Sequence, residues 1–294
     1  MKSFIKIGLM VQTFILLSVQ SVISCIKIVL LYRRPTALPL KNNETCIVFG
    51  NGPSLNDTLQ NSIDVLKSAE LICVNSFVTS KYFTELKPQN YILLDPVFFS
   101  NEGIKKEVVK TAYDALIAHT SWTMNLYVPM QAKKFKHFQD FLKQNSNIKP
   151  VYFNYIIVEG FGWFKNWAFR NNIGMLQSQT VIIAAIFVSI NRQFDKILLV
   201  GTDASWHEDL RISDDNLLLL NDTNFYNTET KTQKEIPLIN PENKNKITMA
   251  VQFMSMSKIF KGYENLNTYA LKQKVKIYNA SVKSYVDAYV RLKL

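Results

Sequence analysis

The run Thr45-Cys46-Ile47-Val48-Phe49-Gly50-Asn51-Gly52-Pro53-Ser54-Leu55 decides how this chain folds. Its first five residues form a short apolar stretch of the kind that fills a buried parallel strand. Glycines then allow a sharp turn and a close backbone approach, because they carry no Cβ. Pro53 presets a backbone angle suited to helix entry. Ser54 can cap that helix or donate to a phosphate, and free N–H groups at such a turn favour an anion. A helix-compatible segment continues to about Ser68.

The same order recurs along the chain. Leu71–Val74 is a second strand-like run ending at Asn75-Ser76, and Tyr91–Leu94 a third ending at Asp95-Pro96. Val181–Ile190 reads as a buried helix, followed by a strand at Lys196–Val200 that ends in Gly201-Thr202-Asp203. Val275–Tyr278 is a last strand, ending at Asn279-Ala280-Ser281. Strands alternating with helices predict an α/β, Rossmann-like, doubly wound and mostly parallel sheet. In such sheets ligands sit outside the carboxyl ends of the strands. Gly50, Asn51, Gly52, Pro53, Ser54, Asn75, Ser76, Gly201 and Thr202 are therefore the expected ligand-binding residues. Leu210–Lys246 is polar and irregular, and residues from about 207 to 246 are expected to form a loop or lid.

Residues 1–34 read differently. Phe4–Tyr32 is long and apolar enough for a bilayer-spanning helix. Lys2, Lys6, Thr13, Gln20, Ser24 and Lys27 fall at helical spacing and would make one polar stripe, which suits a helix lying in the interface with its lysines on headgroups. Arg33 and Arg34 suit the cytoplasmic side. The chain continues apolar beyond Cys25, where a lipoprotein would begin a polar tether. The expected organisation is a membrane-associated helix at 1–34, a linker at 35–44 and one Rossmann-like domain at 45–294, held on the cytoplasmic side of an inner membrane.

Hydrophobic residues make up 48% of the 294-residue chain and charged residues 19%, which supplies a core and excludes global disorder. The net charge of +11 implies an anionic partner. No basic run with interleaved aromatics occurs, so a membrane surface and a phosphorylated ligand fit better than nucleic acid. Cys25, Cys46 and Cys73 are too few for a disulfide framework and lack metal-binding spacing.

Val48-Phe49-Gly50-Asn51-Gly52-Pro53-Ser54-Leu55 resembles the start of the bacterial sialyltransferases of glycosyltransferase family 42. It is also similar to a wider group of surface-glycan transferases and Maf-type motility-accessory proteins. In the family the loop contacts the cytidine monophosphate of the donor, a second strand ends in Asn as at Asn75, and a third ends in Asn-Pro where this chain has Asp95-Pro96. A later Gly-x-Asp matches Gly201-Thr202-Asp203, preceded by a Ser/Thr-bearing helix start matched by Ser178 and Thr180. The resemblance covers roughly Thr45 to Arg291. It implies a GT-A-like variant of the fold, a nucleotide-sugar donor, CMP-linked and sialic-acid- or Kdo-like, and no metal cofactor. The family follows Gly-x-Asp with tyrosines, whereas this chain has Ala204-Ser205-Trp206-His207, and no His follows His207.

Sugar transfer needs a base to take the acceptor's proton. His207, Asp203 and Asp95 are the candidates. His137, in a lysine-rich stretch, reads as a solvated surface residue, and His119 as a lone structural one. The expected function is transfer of a sugar from a nucleotide-activated donor to a surface polysaccharide or lipid-linked glycan acceptor. A pterin-type pyrophosphokinase and a non-catalytic glycan-assembly protein are the alternatives.

Overall fold

A computed structural model of the chain describes residues 2–100, 106–221, 225, 235–240 and 245–294. Its strands are β1 (Thr45–Phe49), β2 (Glu70–Val74), β3 (Asn90–Ile92), β4 (Met124–Pro129), β5 (Ile148–Phe153), β6 (Lys196–Val200), β7 (Leu210–Ile212), β8 (Leu218–Asn221), β9 (Glu235–Pro237), β10 (Lys276–Asn279) and β11 (Val290–Arg291). Eight of them form one sheet in the order β11-β10-β6-β1-β2-β3-β4-β5, with every neighbouring pair parallel. This is the doubly wound, Rossmann-like sheet the sequence predicts. β4, β5 and β11 were not among the predicted strands, and they extend the sheet at both edges.

Alternation along each strand sends side chains to two cores. Ile47, Phe49, Leu71 and Cys73 face α2 (Leu55–Asn61), α3 (Ile63–Lys67), α4 (Tyr82–Leu86), α5 (Val97–Ser100), α6 (Lys106–His119) and α7 (Lys136–Leu142). Cys46, Val48, Ile72 and Val74 face α8 (Gly162–Arg170), α9 (Val181–Asn191) and α10 (Met249–Lys272). Residues Ile182 to Ile190 of α9 are buried without a break, because the helix lies between the sheet and α10. A helix that is apolar all round belongs in such a layer.

The chain lays β1 to β5 outward in one direction, then places β6 on the other side of β1. Such a reversal opens a crevice between the carboxyl ends of the two strands. Phe49 and Val200 are paired across it, so Gly50 and Gly201 leave the sheet side by side.

The residues expected as a linker are strapped to this body. Thr36 exchanges hydrogen bonds with Tyr152 on the edge strand β5, its N–H donating to the Tyr152 carbonyl and its Oγ1 accepting the Tyr152 N–H. That pairing covers an exposed sheet edge. Arg192, at the end of α9, donates to the carbonyls of Pro39 and Leu40 and forms a fully buried pair with Glu70 at 2.6 Å.

α1 (Lys2–Leu31) is one continuous helix whose exposed residues are almost all apolar, and Ile5–Leu31 is long and apolar enough to cross a membrane. Of its expected polar stripe, Lys6 and Thr13 are exposed and Ser24 is turned inward. Ser24 is buried against the body, its Oγ accepting the Glu159 N–H at 2.9 Å and donating to the Glu159 carbonyl at 3.1 Å. Ser21 Oγ accepts the Phe161 N–H at 3.1 Å. These hydroxyls satisfy a loop backbone rather than lipid headgroups.

The region expected to be irregular is in part ordered. β7, β8 and β9 make a three-stranded antiparallel sheet, and Asp214 and Asp215 lie in its first turn. Part of the expected lid, including Asp222, lies outside the described residues. Phe225 stacks on Phe77, and its N–H donates to the Asn51 carbonyl.

Candidate functional site

A cleft of about 820 Å³ lies at the switch point. Gly50, Asn51, Gly52, Pro53, Asn75, Asp95, Ser178, Thr180, Gly201, Thr202 and Asp203 all line it. The polar ends of β1, β2 and β6 and Asp95 after β3 therefore converge on one cavity, whereas the Asn279–Ser281 end of β10, also named from the sequence, does not line it. Ser54 and Ser76 are buried just behind the wall.

The glycine turn is braced against the loop after β6. Gly50 N–H donates to the Val200 carbonyl at 2.7 Å and Gly52 N–H to the Gly201 carbonyl at 2.9 Å. A Cβ on Gly50 would fall 2.2 Å from the Gly201 carbonyl oxygen, and one on Gly52 2.4 Å from the Asp203 carboxyl carbon. Asp203 closes the brace by accepting the Ser54 N–H at 2.9 Å and the Ser54 hydroxyl. Leu55 and Asn56 N–H groups donate within the turn. The amides expected to hold a phosphate are thus largely committed to protein carbonyls and to Asp203. Asn51 N–H is the loop amide without such a partner among the described residues.

The rest of the wall is made by side chains and a helix end. Among the described residues, Asn51 Oδ1, Asn75 Oδ1 and Thr202 Oγ1 are buried with no hydrogen-bond partner. Buried polar atoms without partners are uncommon and costly, and these three belong to residues that line one cavity. The first turn of α9 opens onto the same space through Thr180, Val181 and Ile182. Thr180 stands at the N-cap position but its side chain does not cap the helix. Ser178 donates to the Thr180 carbonyl, and Tyr155 donates to the Ser178 carbonyl at 3.0 Å, which fixes the approach to the helix. A helix start with free N–H groups and a positive dipole end suits an anion.

Backbone strain gathers here too. Asn75, Gly201 and Ala204 have φ of 49°, 59° and 53°. For non-glycine residues that left-handed conformation is costly and persists where the surroundings hold it. Tyr91 hydroxyl, donating to the Asn75 carbonyl at 2.6 Å, is one such hold.

The candidate bases separate by position. Asp95 is exposed at the cleft wall; its Oδ1 accepts the Val97 N–H at 3.1 Å, leaving Oδ2 free of protein partners among the described residues. Asp203 is buried, and burial raises its carboxyl above the ordinary value despite two bonds from Ser54. His207 is not among the residues that line the cleft; its ring meets Tyr285 edge-on at 4.3 Å. His137 is not a solvated surface residue: its ring stacks on Tyr113 at 5.4 Å, with Nε2 buried. His119 is exposed at the end of α6. The sequence reading missed Gln131, Lys134, Tyr155 and Trp206 on the cavity wall. The first two follow β4, and recognising that strand would have placed them at a carboxyl end.

The sequence matches no protein-family model and no curated protein. Among solved structures the chain is similar to a MAf glycosyltransferase from Magnetospirillum magneticum AMB-1, with a TM-score of 0.50 and 11% identity. The likeness covers 90% of this chain but 37% of that one, so this chain spans little more than a third of the other protein's length. At that identity the likeness is one of fold, and it extends over nearly the whole of this chain.

Proposed function

We propose that the cleft binds a nucleotide-activated sugar and transfers the sugar to a hydroxyl of a surface polysaccharide or lipid-linked glycan. The convergence of Asn51 Oδ1, Asn75 Oδ1 and Thr202 Oγ1 around the uncapped start of α9 carries this reading. The amides at the start of α9 and the Thr202 hydroxyl hold the donor phosphate. The two Asn oxygens are acceptors and take hydrogens from ribose hydroxyls or a base amino group. The fold likeness to a protein named as a glycosyltransferase is in keeping with it. The donor class, CMP-linked and sialic-acid- or Kdo-like, follows from the resemblance of the Gly50–Leu55 loop.

In the transfer, Asp95 takes the proton of the acceptor hydroxyl. The hydroxyl oxygen bonds to the anomeric carbon as the bond from that carbon to the phosphate oxygen breaks. The bonding pair leaves on the phosphate, where preorganised N–H and O–H donors stabilise the growing charge without reorganising. This assigns charge stabilisation to the protein rather than to a divalent ion, so turnover is expected to persist in chelator. The helix α1 keeps the body at a membrane, where lipid-linked acceptors reside.

Thermal unfolding of the detergent-solubilised chain against a panel of nucleotides tests the reading. A ligand at 100 times its dissociation constant stabilises by about 2.7 kcal/mol. Stabilisation by cytidine monophosphate supports the proposed donor class. Stabilisation by a nucleoside diphosphate instead keeps glycosyl transfer and changes the donor. Response to ATP with Mg²⁺ alone sinks the reading in favour of a kinase.

A further inference from the structure

α8 buries one face and leaves another in the open that carries large aromatic rings. Phe164, Ala168 and Phe169 enter the core, while Trp163, Trp167 and Arg170 recur at steps of 4 and 3 on the outside. Trp163 is 73% exposed and Trp167 52%, an unusual surface for a helix that otherwise packs well.

This face is continuous with α1. Phe14 of α1 packs on Phe161 with ring centroids 5.5 Å apart, and Phe161 stacks on Trp163 at 6.4 Å. Phe164 then bridges Trp163 and Trp167, at 6.0 and 6.2 Å. The joint behind them is specific. Gly160 has φ +111°, and a Cβ there would fall 2.1 Å from Ser21 Oγ, so the loop fits against α1 only with glycine at that point. Whatever takes up the exposed apolar residues of α1, such as Phe14, Ile15, Val22 and Val29, must also meet Trp163.

Depth decides how. Ser24 and Ser21, which hold the Glu159–Phe161 loop, lie 7 and 10 residues before Leu31, about 11 and 15 Å along a helix. Were α1 upright in a bilayer with Leu31 at one surface, the loop held by Ser21 and Ser24 would carry the exposed Glu159 side chain deep into hydrocarbon, where an acidic residue is costly. An α1 lying along one leaflet avoids this and brings the α8 face to the same level. Tryptophan favours that headgroup–acyl boundary, since its ring is apolar and its N–H is polar. Arg170 on this face and the chain's net charge of +11 suit an anionic leaflet.

We infer that α1 and the Trp163–Trp167 face of α8 form one lipid-binding surface, which seats the body on a single leaflet of an anionic bilayer. The inference is independent of which reaction the cleft performs.

The test is tryptophan fluorescence of the full chain bound to phosphatidylglycerol-containing vesicles whose acyl chains carry bromine near the headgroup. The chain has four tryptophans, and two of them are in this face. Quenching is expected in the wild type, retained in Trp122→Phe, and reduced by more than half in the conservative double variant Trp163→Phe/Trp167→Phe. Equal quenching in wild type and double variant overturns the proposal. So does the absence of wild-type quenching, with Trp163 and Trp167 open to aqueous iodide on the vesicles.

Discussion

Asp203 accepts both hydrogens that Ser54 can donate, the backbone N–H at 2.9 Å and the hydroxyl, across 149 residues of chain. The pair locks the turn after β1 to the turn after β6, and so sets the width of the crevice between them. It also takes the Ser54 amide and hydroxyl out of play as ligand contacts. Asp203→Ala leaves the Ser54 amide without its acceptor and the hydroxyl with only the Lys283 carbonyl at 3.4 Å, and is expected to cost about 1–3 kcal/mol of stability. Denaturant titration reads this directly, and a loss under 1 kcal/mol would deny the brace.

The same carboxyl has a pH consequence. Burial raises it above its ordinary 3.8, so the folded state holds its proton more tightly than the unfolded chain does. Stability from that proton is present below the unfolded value and is lost as pH rises through the folded one. Asp203→Asn is neutral throughout and lacks this slope. The margin by which the wild-type unfolding midpoint exceeds the variant's should therefore shrink as pH rises above the ordinary carboxylate value. A margin that widens as pH rises would mean that the ionised carboxylate is the favoured form.

Thr202 separates a structural role from a binding one. Its hydroxyl is buried without a partner among the described residues, so Thr202→Val removes an unsatisfied group of the same shape. Stability is expected to stay within about 1 kcal/mol of wild type. Nucleotide affinity should fall about tenfold, the loss of one bond to a charged oxygen. Calorimetric titration showing unchanged affinity would place the phosphate elsewhere.

Asp95 and His207 make opposite predictions in steady-state assays. Asp95→Asn should lower kcat by about 10²–10⁴ with nucleotide binding retained, as loss of a general base does. His207→Ala should change kcat only a few-fold, since the ring lies against Tyr285 outside the cavity. The reverse ranking would return the base role to the histidine.

Arg192 tests the strap without touching the cleft. Its guanidinium pairs with Glu70 and binds the Pro39 and Leu40 carbonyls at the amino-terminal side of the sheet. Arg192→Met leaves Glu70 charged and buried, and should cost about 3–5 kcal/mol. Nucleotide affinity of the protein that remains folded should be unchanged. A parallel loss of affinity would show that the strap and the cleft are coupled.

The sheet was legible where strands are unbroken apolar runs, as at Thr45–Phe49 and Lys196–Val200, because central parallel strands are covered on both faces. β5 was not, since Ile148-Lys149-Pro150-Val151 carries a charge and a proline, features that an edge strand tolerates. The position of the cleft followed from the polar strand ends. The way its walls are tied did not. Nothing local in the sequence tells that Ser54 faces Asp203, or that Ser24 serves the backbone of Glu159 rather than a lipid. The placement of His207 outside the cavity likewise depends on Tyr285, which is distant in sequence.

The loop that meets α1 leaves the cleft and returns to it. Tyr155 and Ser178 both line the cavity, and between them Ile157 pairs with Met175, closing the base of the α8 excursion. From Tyr155 to Gly160 is five residues, a reach of at most about 17 Å. With α8 resting on lipid, the reaction chamber hangs at one short, fixed height over the bilayer. Under the proposed transfer, such a chamber would serve the sugars nearest an anchored carrier and miss the distant tip of a long polymer. The leash then acts as a ruler, and its few residues would decide at which stage of chain growth this protein can act.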